Sequence, residues 1–379
     1  MHFDLSEERQ MLADTAERFI RDRYPLETRH AAAATDDGFD RALWAEFAEL
    51  GLIGALLPPE VGGLGGDGED LALVFEALGR GLVVEPFLAS GVLGAAPIAL
   101  AGSEDQKALL EAVISGELLL ALAHGEPDSR YGLSEVHTHA QETGAGWRLT
   151  GRKAMVVNGD SADRLVVSAR VRGEPGSEDG IGLFLLDPTE TGATRRGYGS
   201  VEGGRAAEIT LEAARAEAIG TPGEGFAALE ETLARGALAL SAEAVGIMSV
   251  CHAVTLDYLK TRRQFGQPLG AFQALQHRMV DMLLEIEQAR SAVMLAAGTL
   301  GADRITRERN VAAAKHLAGR VGRLVAEETI QLHGGIAMTW EYSAPHYAKR
   351  LVMIDHLLGD QDHQLERFMK LAPHAGDHP

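Results

Sequence analysis

Two stretches carry residue types and spacings that could hold a phosphate-bearing ligand. The first, Tyr258-Leu259-Lys260-Thr261-Arg262-Arg263-Gln264-Phe265-Gly266-Gln267-Pro268-Leu269-Gly270, sets Lys260, Arg262 and Arg263 at the predicted C-terminus of a long helix. Cations there meet the negative end of the helix dipole, and forked guanidinium groups beside a turn can also clamp a phosphate. The second, Gln331-Leu332-His333-Gly334-Gly335-Ile336-Ala337 followed by Thr339-Trp340-Glu341-Tyr342, ends another long helix in a double glycine. Glycine admits positive φ and close backbone approach, and Gln331 adds an amide beside it. Either stretch alone is accounted for by helix-end capping. The pair gives them a second meaning.

Other polar groups offer less. His137 and His139 fall on one face of a strand, but no third ligand accompanies them, so no metal site is expected. His333 is read as a packing or capping residue. His356, Asp360, Asp362 and His363 read as a solvated helix end, and Cys251, the single cysteine, as an inert core thiol in an apolar helix. One cysteine permits no internal disulfide and no cysteine-based zinc site, which suits a reducing cytoplasm.

The elements that must position these residues follow from periodicity. In residues 1–119, Ser6 followed by Glu7 and Glu8 is an N-cap with an acidic first turn, and Leu12, Ala16, Phe19 and Ile20 recur on one helical face. Leu43, Trp44, Phe47 and Leu50 repeat the pattern, with Gly51 ending that helix. Pro58 to Gly66 is an irregular loop whose glycines allow tight turns; it lacks the Lys-Ser/Thr of a phosphate-binding loop. Residues 120–222 change texture. Arg164–Ala169 and Ile181–Leu186 read as strands separated by turns such as Gly173-Glu174-Pro175-Gly176, and Trp147–Gly151 adds a strand and turn. From 223 to 379 the chain returns to helices over about 226–262, 272–300, 304–333, 344–358 and 361–371, lengths that suit an antiparallel four-helix bundle. The fold class is α+β multidomain: an N-terminal helical domain (1–119), a middle antiparallel β-barrel or sandwich (120–222) and a C-terminal helical bundle and oligomerisation domain (223–379).

Charge removes several function classes. The 379 residues carry a formal net charge of -20, and 22 of the acids lie in residues 1–119 against 8 bases. Such an excess repels nucleic acid and anionic membranes. The acidic, amphipathic opening MHFDLSEERQ is not a secretory signal, and the apolar stretch from Leu71 to Leu100 is interrupted by Glu76, Arg80, Glu85 and Pro86, so no membrane span is expected.

Together the two helical motifs, at this separation and after a helical–β–helical layout, resemble the acyl-CoA dehydrogenase family. The resemblance covers essentially the whole chain and includes His124-Gly125-Glu126-Pro127, Trp147-Arg148-Leu149-Thr150-Gly151-Arg152-Lys153 and Asn158-Gly159-Asp160-Ser161-Ala162-Asp163. Within the family, the opening and Met353-Ile354-Asp355-His356-Leu357-Leu358-Gly359-Asp360 resemble the small subunit of pimeloyl-CoA dehydrogenases. The resemblance implies an FAD flavoprotein that takes an acyl-CoA substrate: a carboxylate removes the proton α to the thioester while a hydride leaves the β carbon for the flavin, and electrons pass on to an electron-transfer flavoprotein. It implies that Arg262, Gln264 and Phe265 contact FAD of a neighbouring subunit, with Arg262 at the pyrophosphate and the Gln331, Gly334 and Gly335 turn at the adenosine side. Met155 and Val157 would lie over the flavin ring. A shared site requires at least a dimer; the family norm is a tetramer.

The sequence departs from the family at both positions of the base. The Glu expected before Gly359 is Leu358, and the alternative Glu, beside Arg235, is Ala234. Asp360 is nearest, but two positions along a helix rotate a side chain by roughly 200°; it reads as a helix cap, and with Asp362 it is an unfavourable neighbour for a pyrophosphate. Val157 and Gly125 stand where the family has threonines that bond the flavin ring. The catalytic base is therefore not identified in this chain. The expectation is a subunit of a heteromeric acyl-CoA dehydrogenase, pairing with a homologous subunit or with itself; the alternatives are a non-catalytic partner subunit and a flavin monooxygenase or oxidase on the same fold.

Overall fold

The computed structural model describes residues 5–144 and 146–371. Met1–Asp4 of the opening segment and the last eight residues of the 223–379 segment lie outside the described residues. The chain divides into two compact units, one made of Met1–Arg29, Gly68–Val83 and Ala237–Pro379, the other of His30–Asp67 and Val84–Gly236.

The helices, in chain order, are α1 (Glu7–Arg23), α2 (Leu26–Ala33), α3 (Arg41–Glu49), α4 (Gly68–Gly81), α5 (Ala95–Ala101, entered through a π-helix over Phe87–Gly94), α6 (Glu104–Lys107), α7 (Leu109–Ile114), α8 (Phe226–Thr261), α9 (Gln273–Gly298), α10 (Arg304–His333), α11 (Ala344–His356) and α12 (Gln361–Lys370). Caps read from sequence are present: the Ser6 side chain accepts from the Arg9 amide, and Gly51, at φ 75°, follows α3 after Leu43, Trp44 and Phe47 have been buried. In the Pro58–Gly66 loop, Gly62 and Gly66 both adopt φ 85°, a conformation that spares glycine the Cβ penalty.

Among the described residues the second unit holds seven strands, β1 (Leu120–Ala123), β2 (His139–Thr143), β3 (Gly146–Val157), β4 (Arg164–Arg170), β5 (Ile181–Leu186), β6 (Ala193–Gly199) and β7 (Arg205–Ile219). Pairings run β4–β2–β3–β7–β5 and return from β5 to β4, closing a ring; β1 adds to β4 and β6 to β7. The sheet is antiparallel except at β1–β4 and at the single-residue seam His139–Arg170, which are parallel. Leu149, Val156, Leu165, Val167, Phe184, Leu186, Ile209 and Leu211 fill the closed interior. Closure satisfies the backbone groups that an open edge would leave unpaired.

In the first unit α10 packs against α9, α11 and α12. α8 is the one described helix long and apolar enough to cross a membrane by length and composition, and most of its apolar window is buried inside the protein. Leu238, Leu240, Val245, Ile247, Met248 and Cys251 of α8 are fully buried, so all-round hydrophobicity here reflects a core helix. It crosses α4 at very short range: a Cβ on Gly79 would overlap the Glu243 carbonyl oxygen, and one on Gly246 that of Glu76. Neither carbonyl can rotate away. Gly246→Ala is therefore expected to destabilise by about 1–3 kcal/mol through overpacking, outweighing roughly 1 kcal/mol of helix propensity gained; urea unfolding of the two proteins measures it.

Candidate functional site

The cationic motif closes α8 in a short hairpin, β8 (Arg263–Gln264) with β9 (Gln267–Pro268). Gly266 turns it at φ 82°, and Phe265 beside it also has a positive φ of 53° and is 87% exposed. Such exposure leaves an aromatic face open to another molecule. The Arg262 side chain is exposed and has no ion-pair partner among the described residues; Arg263 donates to the Gly266 carbonyl and Gln264 to that of Arg263.

The second motif ends α10 as expected. Gly334 takes φ 66°, and nothing lies within 4 Å of where a Cβ would stand on Gly334 or Gly335; Gln331 is exposed beside them. Tertiary packing joins the two motifs. Tyr258, one turn before Arg262, has its ring 4.6 Å from that of His333, and Tyr342 covers His333 at 5.1 Å. His333 Nδ1 bonds the Thr329 carbonyl at 2.8 Å, in keeping with a packing and capping residue. Arg262, Gln264, Phe265, Gln331, Gly334 and Gly335 thus occupy one unit. An unpaired guanidinium, an amide and an open glycine turn fit the diphosphate and adenosine of a dinucleotide.

Beyond α11 the chain makes a tight turn through Leu358, at φ 56°, and Gly359, at φ 100°. A positive φ in a leucine is strained and persists only where neighbours enforce it. Lys315, fully buried on α10, donates to the carbonyls of Ile354 at 2.9 Å, Asp355 at 3.1 Å and Gly359 at 2.9 Å. Gln364 donates to the Leu358 carbonyl at 2.7 Å, and Asp355 accepts from the Gln361 amide at 2.9 Å. Burial pushes the Lys315 ammonium down to about 8, with Asp355 and Asp360 opposing. Asp360 caps α12, its Oδ1 accepting from the His363 amide at 2.9 Å. Ala234 is buried, and Arg235 beside it donates to the Gly66 carbonyl at 2.7 Å, with Glu231 3.7 Å away.

In the other unit, β3 slips register between Lys153 and Val156. Met155 sits in this bulge at φ 52°, half exposed, and Val157 is half-buried, while Lys153 and Val156 both turn inward. The Ala154 amide donates to the Gly125 carbonyl at 2.8 Å, which sets the end of β1 beside this segment. Lys153 is completely buried. Its three N–H groups go to Glu126 Oε1 at 2.7 Å, the His124 carbonyl at 3.1 Å and Ser168 Oγ at 3.2 Å. Glu126 also accepts from the amides of His137 at 2.8 Å and Thr138 at 2.9 Å, and its carboxyl is held below the usual range despite burial, by Lys153 and these bonds. Burial lowers Lys153 to about 8, Glu126 opposing.

His124, Glu126 and Lys153 stand in motifs legible by sequence, yet their joint burial is not. The signal was a lysine opposite Ile209 on the inward face of an alternating strand. His137 lies 3.8 Å from Glu135, and no group of three or more His, Cys, Asp or Glu side chains could hold a metal among the described residues. Burial drives the Cys251 thiol up to about 12, which keeps it protonated.

Sequence profiles agree with this architecture. That of the acyl-CoA dehydrogenase N-terminal domain matches residues 6–117, and that of the C-terminal domain residues 223–370. Acyl-CoA dehydrogenase IpdE2 of Mycobacterium tuberculosis is 33% identical, the alignment covering 91% of each chain. Among solved structures, the ChsE4–ChsE5 complex from Mycobacterium tuberculosis superposes with a TM-score of 0.87 at 25% identity over 100% of both chains. The FAD complex of PigA gives 0.89 at 26%, covering 98% of each. The chain belongs to the acyl-CoA dehydrogenase family.

Proposed function

We propose that this chain is an FAD-binding subunit of a heteromeric acyl-CoA dehydrogenase, supplying a cofactor half-site while a homologous partner supplies the base, with 1–119, 120–222 and 223–379 as its three domains. The observation that carries the reading is the combination of an intact Arg262–Gln331 arrangement with apolar side chains at both base positions, Leu358 and Ala234. Asp360 serves instead as the cap of α12, its Oδ1 accepting from the His363 amide. The relative solved as a complex of two differently named chains supports pairing of this kind. So does an apolar stripe on α9, where Val280, Leu283, Leu284, Met294 and Leu295 are exposed; a row of this spacing suits burial by a second subunit.

FAD, when bound, supplies the hydride acceptor; an acyl-CoA thioester is the substrate, and an electron-transfer flavoprotein the electron acceptor. The residues of this chain bind and orient. Arg262 neutralises the diphosphate and Gln331 with the Gly334–Gly335 turn takes the adenosine of a neighbouring subunit's FAD, while Met155 and Val157 cover a flavin ring on their own unit. Arg262→Ala is expected to weaken FAD binding about 10- to 100-fold, a loss of the order of a charge-assisted pair, measured by fluorescence titration of the apoprotein.

The decisive experiment compares the purified chain with the chain co-expressed with a homologue that carries Glu at the position of Leu358 or Ala234. Full activity of the isolated chain on an acyl-CoA overturns the heteromeric reading. The absent base also favours a second reading, a partner without a functional half-site; stoichiometric FAD held through Arg262 in the complex excludes it.

A further inference from the structure

The polar chain beneath β3 ends at a group with access to a ligand. The three ammonium hydrogens of Lys153 are all used, one of them on Ser168 Oγ. Ser168 Oγ therefore accepts from Lys153, which leaves its own O–H to point at His124 Nδ1, 2.9 Å away. A neutral imidazole accepting at Nδ1 carries its proton on Nε2. Lys153 and Ser168 are both sealed from solvent, whereas His124 is half-buried, and its Nε2 has no hydrogen-bond partner among the described residues. The ring stays neutral, because burial and the nearby Lys153 charge push it down to about 3.

A buried lysine and serine are costly to desolvate, and apolar side chains would close this corner more cheaply. What they secure is one tautomer of one surface histidine. That histidine adjoins Gly125, whose carbonyl is tied to Ala154 next to Met155. The two threonine hydroxyls absent at Gly125 and Val157 would have acted in this same segment.

We propose that His124 is a ligand-binding residue whose Nε2–H donates to a carbonyl of the bound isoalloxazine ring, its tautomer set by the relay from Lys153 through Ser168. The inference rests on the FAD-binding reading above. It gives the chain a neutral donor in place of the lost hydroxyls, and Lys153 and Ser168 become positioning residues.

The test uses whichever assembly of the wild-type chain holds FAD, alone or with its partner subunit. His124→Phe should weaken FAD binding about 3- to 10-fold, as expected for one neutral hydrogen bond. It should also shift the flavin absorption bands and make the midpoint potential more negative, since a donor at a ring carbonyl stabilises the electron-rich reduced form. His124→Gln, which keeps a side-chain N–H, should recover most of the affinity. Nitrogen-15 NMR should show the Nε2–H tautomer in the wild type and lose that single signature in Ser168→Ala. The proposal is overturned by an Nδ1–H tautomer, by His124→Phe binding FAD with unchanged affinity and spectrum, or by His124→Gln being as weak as His124→Phe. Weakened binding of butyryl-CoA with unaltered flavin would assign the donor to the thioester and overturn the flavin assignment. A wild-type chain that holds no FAD in either assembly overturns the FAD-binding reading along with it, whereas FAD binding that ignores His124 overturns only this proposal.

Discussion

Leu358→Glu should raise the rate at which the chain, loaded with FAD, exchanges the α proton of an acyl-CoA by about 10²–10⁴-fold over the parent. The backbone there is already built. Lys315 ties the end of α11 and Gly359 through three carbonyls, and Gln364 holds the Leu358 carbonyl. Leu358 bears the strain of φ 56°, and glutamate, also unbranched at Cβ, should meet a similar penalty. Deuterium exchange at the acyl α carbon of butyryl-CoA and octanoyl-CoA, together with anaerobic bleaching of the flavin, reads the effect. Leu358→Gln is the control and should stay inactive. Glutamate and glutamine variants that retain FAD but behave alike would show that this turn is not where the family's base acts, and the heteromeric reading would lose its main support.

Lys153→Met should cost about 3–5 kcal/mol, because it leaves the buried Glu126 carboxylate without its counter-charge and removes donors from the His124 carbonyl and Ser168. Pairing it with Glu126→Gln should recover part of that loss, since an amide avoids the stranded charge while its single oxygen still accepts from one of the two backbone amides, of His137 or Thr138, that the two carboxylate oxygens hold. Urea unfolding followed by Trp147 fluorescence, whose ring packs 5.3 Å from Phe184 in the barrel core, reports on this unit. Equal stability of wild type and Lys153→Met would contradict a fully desolvated pair.

Much of the fold is written locally. The C-terminal helices fall within two residues of where periodicity and Gly or Pro punctuation put them, and the strands over 164–169 and 181–186 are present, while that at 147–151 runs on to Val157 instead of turning at Gly151. Alternation and caps act over a few residues and survive in a linear reading. Three features did not. The parallel β1–β4 pair and the β5–β7 pair that completes the ring join residues dozens of positions apart. The bulge that exposes Met155 while burying Lys153 and Val156 breaks the two-residue alternation. The crossing of α4 and α8 at Gly79 and Gly246 needs both helices in place before either glycine has a role.

The candidate site divides in the same way. Sequence alone determined the family, and it supplied the two motifs proposed to hold the cofactor and the apolar residues at Leu358 and Ala234, because each is a matter of which residue type stands at which position. It left open whether Asp360 could serve as a base; in the structure Asp360 Oδ1 accepts from the His363 amide at the start of α12. It gave His124 no role beyond membership of a motif. Only the tertiary structure brought Ser168 and Lys153 beneath that ring, since hydrogen-bond direction is fixed by two buried side chains on β3 and β4 meeting the residue that follows β1. Composition counts charges and periodicity orders faces, but the proton a histidine presents is decided by contacts between distant residues.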